Sequence, residues 1–311
     1  MNNKRSDLVD ALRGIATISV LLGHALQRGL RTGYEGNWVF ELIYSYHMPL
    51  FIVLSGYTLY LSDQKYGKVS RRRIKEKIFG LIYPSFLWNY IIWFVRDLPF
   101  VGIKPYINFP DNIGEYTKLL FKYPTYVIWF LWVVFICTMI IWLGRACAED
   151  NWSLIVLFVY VVLSKMSIPY WGVSNVVAYL PYFAAGYAIA NHRNGALPML
   201  MISGIGFVME TLFPEQINGL RGMFVAAFLI CLICLVTKYL IHYQPIRTFL
   251  CFMGKYSLRI YLCQCICLNI GYGSGKVRVV TIFITAMAIS VFLAVLTTKI
   301  KVLSLILYGR K

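Results

Sequence analysis

The sequence predicts an all-α fold, a polytopic transmembrane helix bundle of about ten spans, on three observations. Hydrophobic residues make up 59% of the 311 positions and charged residues only 14%, where a soluble domain carries about a quarter charged. Apolar stretches of membrane-crossing length recur from one end of the chain to the other. Lys and Arg are also distributed unevenly between alternate connecting segments. One side holds 17 and the other 10, with the remaining three of the 30 inside apolar stretches. By the positive-inside rule the richer side is cytoplasmic, and both termini are expected there. Much of the +17 net charge is therefore orientation signal and contact with anionic membrane lipids, and no nucleic-acid partner is expected.

The spans are expected at roughly 8–31, 38–61, 74–96, 125–145, 152–168, 174–190, 197–213, 220–241, 250–270 and 277–306. The opening residues, MNNKRSD, are too short and polar for a cleaved leader, so the first span is expected to stay in the protein. Residues 97–124 form one long outer connection with four of the eleven prolines, a candidate lid. Residues 1–311 are read as a single integral-membrane domain.

The first span carries an unusual load. Asp10, Arg13, Thr17, His24, Arg28 and Arg31 fall within about 60° of one another at 100° per residue, while the other faces are Leu, Ile, Val, Ala and Gly. Ionisable groups are costly at mid-membrane, so such a stripe faces a protein interior or a wet cavity. Snorkelling accounts for the terminal members but not for Arg13 together with His24. The second span, within ELIYSYHMPLFIVLSGYTL (41–59), places Glu41, Tyr44, His47 and Ser55 around Pro49, which removes a helical hydrogen bond. Before the third span, SRRRIKEKIFGLIYP (70–84) sets Arg71, Arg72, Arg73, Lys75 and Lys77 against a single acid, Glu76. That run is both a topology anchor and a dock for a polyanion. The eight cysteines keep no metal-ligand company, and no metal is expected.

Several of these segments together resemble the membrane acyltransferase family 3, and most closely its stand-alone sugar O-acetylases. They are DALRGIATISVLLGH with its Arg13-x10-His24 spacing, YSYHMPLFIVLSGYTL, the basic run leading into LIYPSF, WFLWVVF (129–135), YLPYFAAGYAIA (179–190) and MGKYSLRIYL (253–262). The resemblance implies transfer of an acetyl group from cytosolic acetyl-CoA to a hydroxyl of a surface glycan or its lipid-linked precursor. It implies a multi-pass protein of the bacterial inner membrane. It places the family's first-helix residues on Asp10, Arg13 and His24 and its second-helix histidine on His47. Two positions depart from the family pattern: Lys77 and Gly80 stand where Arg-x-x-Arg is usual, and Gln264 stands where histidine is common.

The residues suit that chemistry. A sugar hydroxyl needs a positioned base, and imidazole has the right pKa, so His24 is the candidate general base. Arg13 lies about 16 Å from His24 along the axis, so the two cannot touch. Arg13 with Arg71, Arg72, Arg73, Lys75 and Lys77 would hold the CoA end. Glu35, Trp38, Glu41 and His47 are candidate acceptor contacts. Direct transfer and a transient acyl-histidine both remain open, as does formation of a homo-oligomer. The competing readings are a glycan or lipid transporter (or flippase) using the polar stripe as a permeation path, and a structural partner of a glycan-assembly complex.

Overall fold

A computed structural model describes residues 6–67, 69–98, 101, 108–166, 168–191 and 221–309. Among the described residues the regular structure is helical, with no strand. Seven stretches there are long and apolar enough to cross a membrane: 7–30, 38–66, 71–95, 129–165, 173–190, 222–240 and 275–299.

Helix α1 (Asp7–Leu30) opens with Asp7 and Asp10 in its first turn and closes with Arg28 in its last, charges that complement the helix dipole. In α2 (Trp38–Tyr66) the Asn37 side chain accepts hydrogen bonds from the Val39 and Phe40 backbone N–H groups at 3.1 and 3.2 Å, a regular N-cap. The expected break at Pro49 is absorbed, and α2 stays one helix through it. Residues 71–95 cross in three pieces: α3 (Arg71–Lys77), a π-helical turn (Ile78–Ile82) and α4 (Tyr83–Val95). Pro84 has no N–H for the carbonyl four residues back. The ladder widens there, and the Tyr83 N–H donates to Ile78, five residues back.

The outer connection contains α5 (Ile113–Lys122), capped by Asn112. Its buried Tyr116 stacks on Trp93 of α4 at 5.8 Å between ring centroids, and the Arg96 guanidinium lies over the same indole. The 37-residue stretch 129–165 is about 55 Å of helix, too long for one bilayer. It divides into α6 (Trp129–Ala148) and α7 (Trp152–Lys165) at Glu149, where φ is 36°. Then come α8 (Val173–Asn191), α9 (Arg221–Leu240), α10 (Gln244–Lys255), α11 (Ser257–Gln264), α12 (Gly275–Lys299) and α13 (Lys301–Tyr308). The expected span at 197–213 lies outside the described residues.

Two expected spans are corrected, 277–306 and 250–270. The first ends as a helix at Lys299, where extended backbone at Ile300 (φ −101°, ψ 97°) turns the chain into α13. Residues 250–270 do not form a continuous helix. Pro245 starts α10 early, the helix stops at Tyr256, and α11 ends at Gln264. Just before the break lies Gly254, pressed against α1 so closely that a Cβ would collide with the Asp10 carbonyl. Gly14 of α1 meets the Leu250 carbonyl in the same way, so two glycines clasp α1 to α10. Gly56 and Gly186 do likewise for α2 and α8, against the carbonyls of Phe183 and Val53. Helix α1 also packs on α2 and α12 and is the centre of the bundle. A large apolar core, including Ile52, Trp88, Ile92, Leu131, Ile141 and Phe183, fills the α2–α8 side. Outward faces such as Leu154, Leu157 and Phe158 of α7 and Val280, Ile284 and Phe292 of α12 are exposed and apolar, the belt a lipid-embedded protein presents.

Candidate active site

Four helices turn their polar stripes toward one another. On α1 the stripe is Arg13, Val20, His24, Gln27 and Arg28; on α2 it is Tyr44, Met48, Phe51, Ser55 and Thr58, with His47 beside it. Both follow the i, i+3, i+4, i+7 spacing that puts residues on one helical face. Helix α11 adds Ser257, Tyr261 and Gln264, and α6 adds Phe130, Val134 and Thr138.

These stripes enclose two adjoining cavities. The lower one, about 340 Å³, contains Arg13, Ser55, Thr58, Lys77, Lys255 and Ser257. Arg13 Nη2 donates to Thr58 Oγ1 at 3.1 Å, which aims the guanidinium across the cavity. The upper one, about 330 Å³, contains His24, Gln27, Arg28, Tyr44, His47 and Gln264, under a wall of Trp129, Tyr179 and Tyr261. Met48 and Tyr261 belong to both walls. Below the lower cavity opens a third of about 780 Å³, lined by Arg71, Arg72, Arg73, Lys75 and Lys77. Lys77 is common to this mouth and to the Arg13 cavity. The order is therefore a basic mouth, a cavity with three cations, and a cavity with two histidines.

The histidines are held differently. His47 is buried, and its Nδ1 lies 2.6 Å from the Ile43 carbonyl. A carbonyl only accepts, so Nδ1 carries a proton, and in the neutral ring Nε2 is then the free acceptor. Tyr44 meets the His47 ring edge-on at 4.8 Å. His24 hydrogen-bonds to the Gln27 side chain, one turn along α1. The cavity thus presents two imidazoles in a wall of tyrosines and tryptophan, with water access limited by the surrounding helices.

The remaining expected site residues fall elsewhere. Asp10 is buried at the α1–α10 crossing and is not among the residues lining these three cavities. Glu35, Trp38 and Glu41 are exposed at the start of α2 and its approach, also outside these walls. Arg73 lines the mouth but turns inward. It is paired with Asp63 at 2.5 Å, donates to the Gly67 carbonyl and Ser62, and lies over the Trp142 ring. Lys255, Ser257 and Tyr261 had no place in the sequence reading of the site. Their signal was present in GKYSLRIYLCQ, where Ser257, Tyr261 and Gln264 share one face, but a continuous span would have hidden it. Among the described residues no group of three or more His, Cys, Asp or Glu is placed to hold a metal ion.

The basic mouth, the Arg13 cavity and the dihistidine cavity thus share lining residues in series. Residues 7–299 match the acyltransferase domain of acyltransferase family 3, and the chain belongs to that family. With seven helices long and apolar enough to cross a membrane among the described residues, it is a membrane-embedded member of that family. Among curated relatives, nodulation protein NolL of Mesorhizobium japonicum is 29% identical over 143 residues, covering 45% of this chain and 36% of NolL. The NolL protein of Sinorhizobium fredii is 29% identical over 136 residues, covering 42% of this chain and 34% of that protein. The alignments span about a third of the length of these relatives. No solved structure matches the chain.

Proposed function

We propose that the protein transfers an acetyl group from cytosolic acetyl-CoA to a hydroxyl of a cell-surface glycan or its lipid-linked precursor, in a bacterial inner membrane. The observation that carries this reading is the order of the three cavities. The phosphates of CoA need several guanidinium or ammonium donors, and the mouth with Arg71, Arg72 and Lys75 offers them. Lys77, Arg13 and Lys255 continue the positive lining inward. The uncharged pantetheine arm then passes Met48 and Tyr261, which brings the thioester to His24 and His47.

In this reading the acceptor hydroxyl oxygen attacks the thioester carbonyl carbon while His24 takes its proton. The carbon–sulfur bond breaks, the departing thiolate receives the proton from the His24 imidazolium, and the products are the acetyl ester and CoA. His47, with Nε2 unprotonated, accepts a hydrogen bond from the acceptor and so orients it. The dry aromatic wall keeps water from the thioester.

The test is CoA release and acetyl transfer by the purified protein. His24→Ala should lower transfer by at least about 100-fold, the scale of general-base catalysis, with acetyl-CoA affinity unchanged. Substantial transfer by a folded His24→Ala variant removes His24 from the mechanism, and no acetyl-CoA binding by the native protein removes the donor.

A further inference from the structure

The His24 cavity contains one group that the mechanism leaves unused. Gln264, at the end of α11, is fully buried, and neither Oε1 nor Nε2 has a hydrogen-bond partner. Its backbone carbonyl is engaged, accepting from the Cys267 N–H at 3.0 Å; the amide alone is left over. A buried amide without partners is destabilising in a well-packed protein, because both of its polar atoms have lost water. Such a group persists where a ligand supplies the missing bonds.

The chemistry of the side chain limits that ligand. Nε2 only donates and Oε1 only accepts, so one partner must offer an acceptor and a donor on neighbouring atoms. A thioester carbonyl has no donor and would satisfy Nε2 alone. Two adjacent oxygens of a sugar ring satisfy both: one hydroxyl donates to Oε1 and the next oxygen accepts from Nε2. An acetamido N–H and the neighbouring ring hydroxyl do the same, the N–H donating to Oε1 and the hydroxyl oxygen accepting from Nε2. The surroundings suit a pyranose as well. Trp129 and Tyr179 stack at 5.1 Å between centroids and form one wall, with Tyr44 and Tyr261 on others. Flat rings of this kind pack against the apolar C–H face of a sugar, which leaves its polar edge for Gln264, His24 and His47.

We infer that the dihistidine cavity is the acceptor subsite, taking one sugar ring, and that Gln264 reads an adjacent donor–acceptor pair on that ring. This rests on the acetyl-transfer reading above and adds the residue that reads the acceptor ring and the pair of atoms it reads. It also moves the acceptor inward from Glu35, Trp38 and Glu41. Gln264 is a binding residue in this account, not a proton carrier.

The experiment compares native protein with Gln264→Leu and Gln264→Glu at saturating acetyl-CoA. The probes are methyl β-glucopyranoside, methyl N-acetyl-β-glucosaminide and the methyl 2-deoxyglucoside, which lacks one member of a pair. With native protein, at least one of the first two should accelerate CoA release and carry away labelled acetyl, at least tenfold more efficiently than the 2-deoxy sugar. Which of the two is preferred separates a hydroxyl pair from an acetamido group. Gln264→Leu removes the orphaned amide without leaving a void, so its melting temperature should equal or exceed that of native protein. Its kcat/KM for the preferred glycoside should fall at least tenfold while acetyl-CoA affinity holds. Gln264→Glu keeps an acceptor and loses the donor, and should lose the preference between the sugars. A kcat/KM within threefold of native in Gln264→Leu, or no response of native protein to any glycoside, overturns the inference. Failure of native protein to bind acetyl-CoA would instead strike the donor reading.

Discussion

Three consecutive arginines, Arg71, Arg72 and Arg73, begin from the same chemistry and finish in different surroundings. Arg71 is exposed, Arg72 is exposed and paired with Glu76 one turn on at 3.0 Å, and Arg73 is buried against Asp63. The Asp63 carboxylate also accepts from the Tyr187 hydroxyl at 2.9 Å and the Trp142 indole at 3.2 Å, which ties α2, α3, α6 and α8 together at the mouth. Removing one partner of a buried pair strands the other charge. Arg73→Ala should therefore cost about 3 kcal/mol of stability, seen as a lowered melting temperature in detergent. The triple variant of Arg71, Arg72 and Lys75 to Ala should fold normally and lose acetyl-CoA affinity, with a shallower dependence of that affinity on salt. Equal affinity in the triple variant would reduce those residues to an orientation signal. Composition alone gave the run its polyanion dock, and it could not tell these arginines apart. The partner that claims Arg73 is ten residues away in sequence and on another helix.

At the scale of elements, the informative feature is the broken segment α10–α11. Part of the lining of the first two helices was legible. Arg13, His24 and Arg28 share the predicted face of the first, and Tyr44, His47 and Ser55 flank Pro49 in the second, whereas Asp10, Thr17, Arg31 and Glu41 do not line these cavities. The span at 250–270 read as ordinary apolar helix, and its hydropathy does not mark the stop at Tyr256, beside the meeting of Gly254 with α1. That contact sets where Lys255 and Ser257 enter the Arg13 cavity. Gly254→Ala should push α10 off α1, lowering stability by about 1–3 kcal/mol, the usual cost of overpacking. It should also weaken acetyl-CoA binding. Gly222→Ala, where a Cβ meets open space, is the matching control and should change neither quantity. Equal behaviour of the two variants would detach the break from the site.

For the whole molecule, the bundle class was plain from hydropathy, because every apolar helix in a bilayer must satisfy its backbone internally. The exact division into spans was not, since hydropathy cannot see a turn such as that at Glu149 inside an apolar run. In the proposed reading the basic mouth and the dihistidine cavity lie in series, so the transfer would have a direction. Proteoliposomes with acetyl-CoA on the side of the basic mouth and glycan on the other should yield acetylated glycan on the glycan's side. Product formed only when both are on the mouth side would place acceptor entry in the cytoplasm.

Met48 and Tyr261, shared by the upper and lower cavities, have a consequence for the cell's energy supply. In the proposed reading a thioester would enter from one side and a sugar from the other, and such a passage would also be a route by which protons discharge the membrane's electrochemical gradient. An apolar thioether and a ring set between two polar chambers act as electrical insulation, because an ion crossing them would have to shed its hydration. Met48→Gly should accordingly raise passive proton flux into proteoliposomes loaded with a pH-sensitive dye, and acetyl-CoA should lower it again by filling the gap. If that flux stays at the native level, the insulation lies elsewhere along the passage. Selection at residue 48 would then answer to the tightness of the membrane as much as to the rate of acyl transfer.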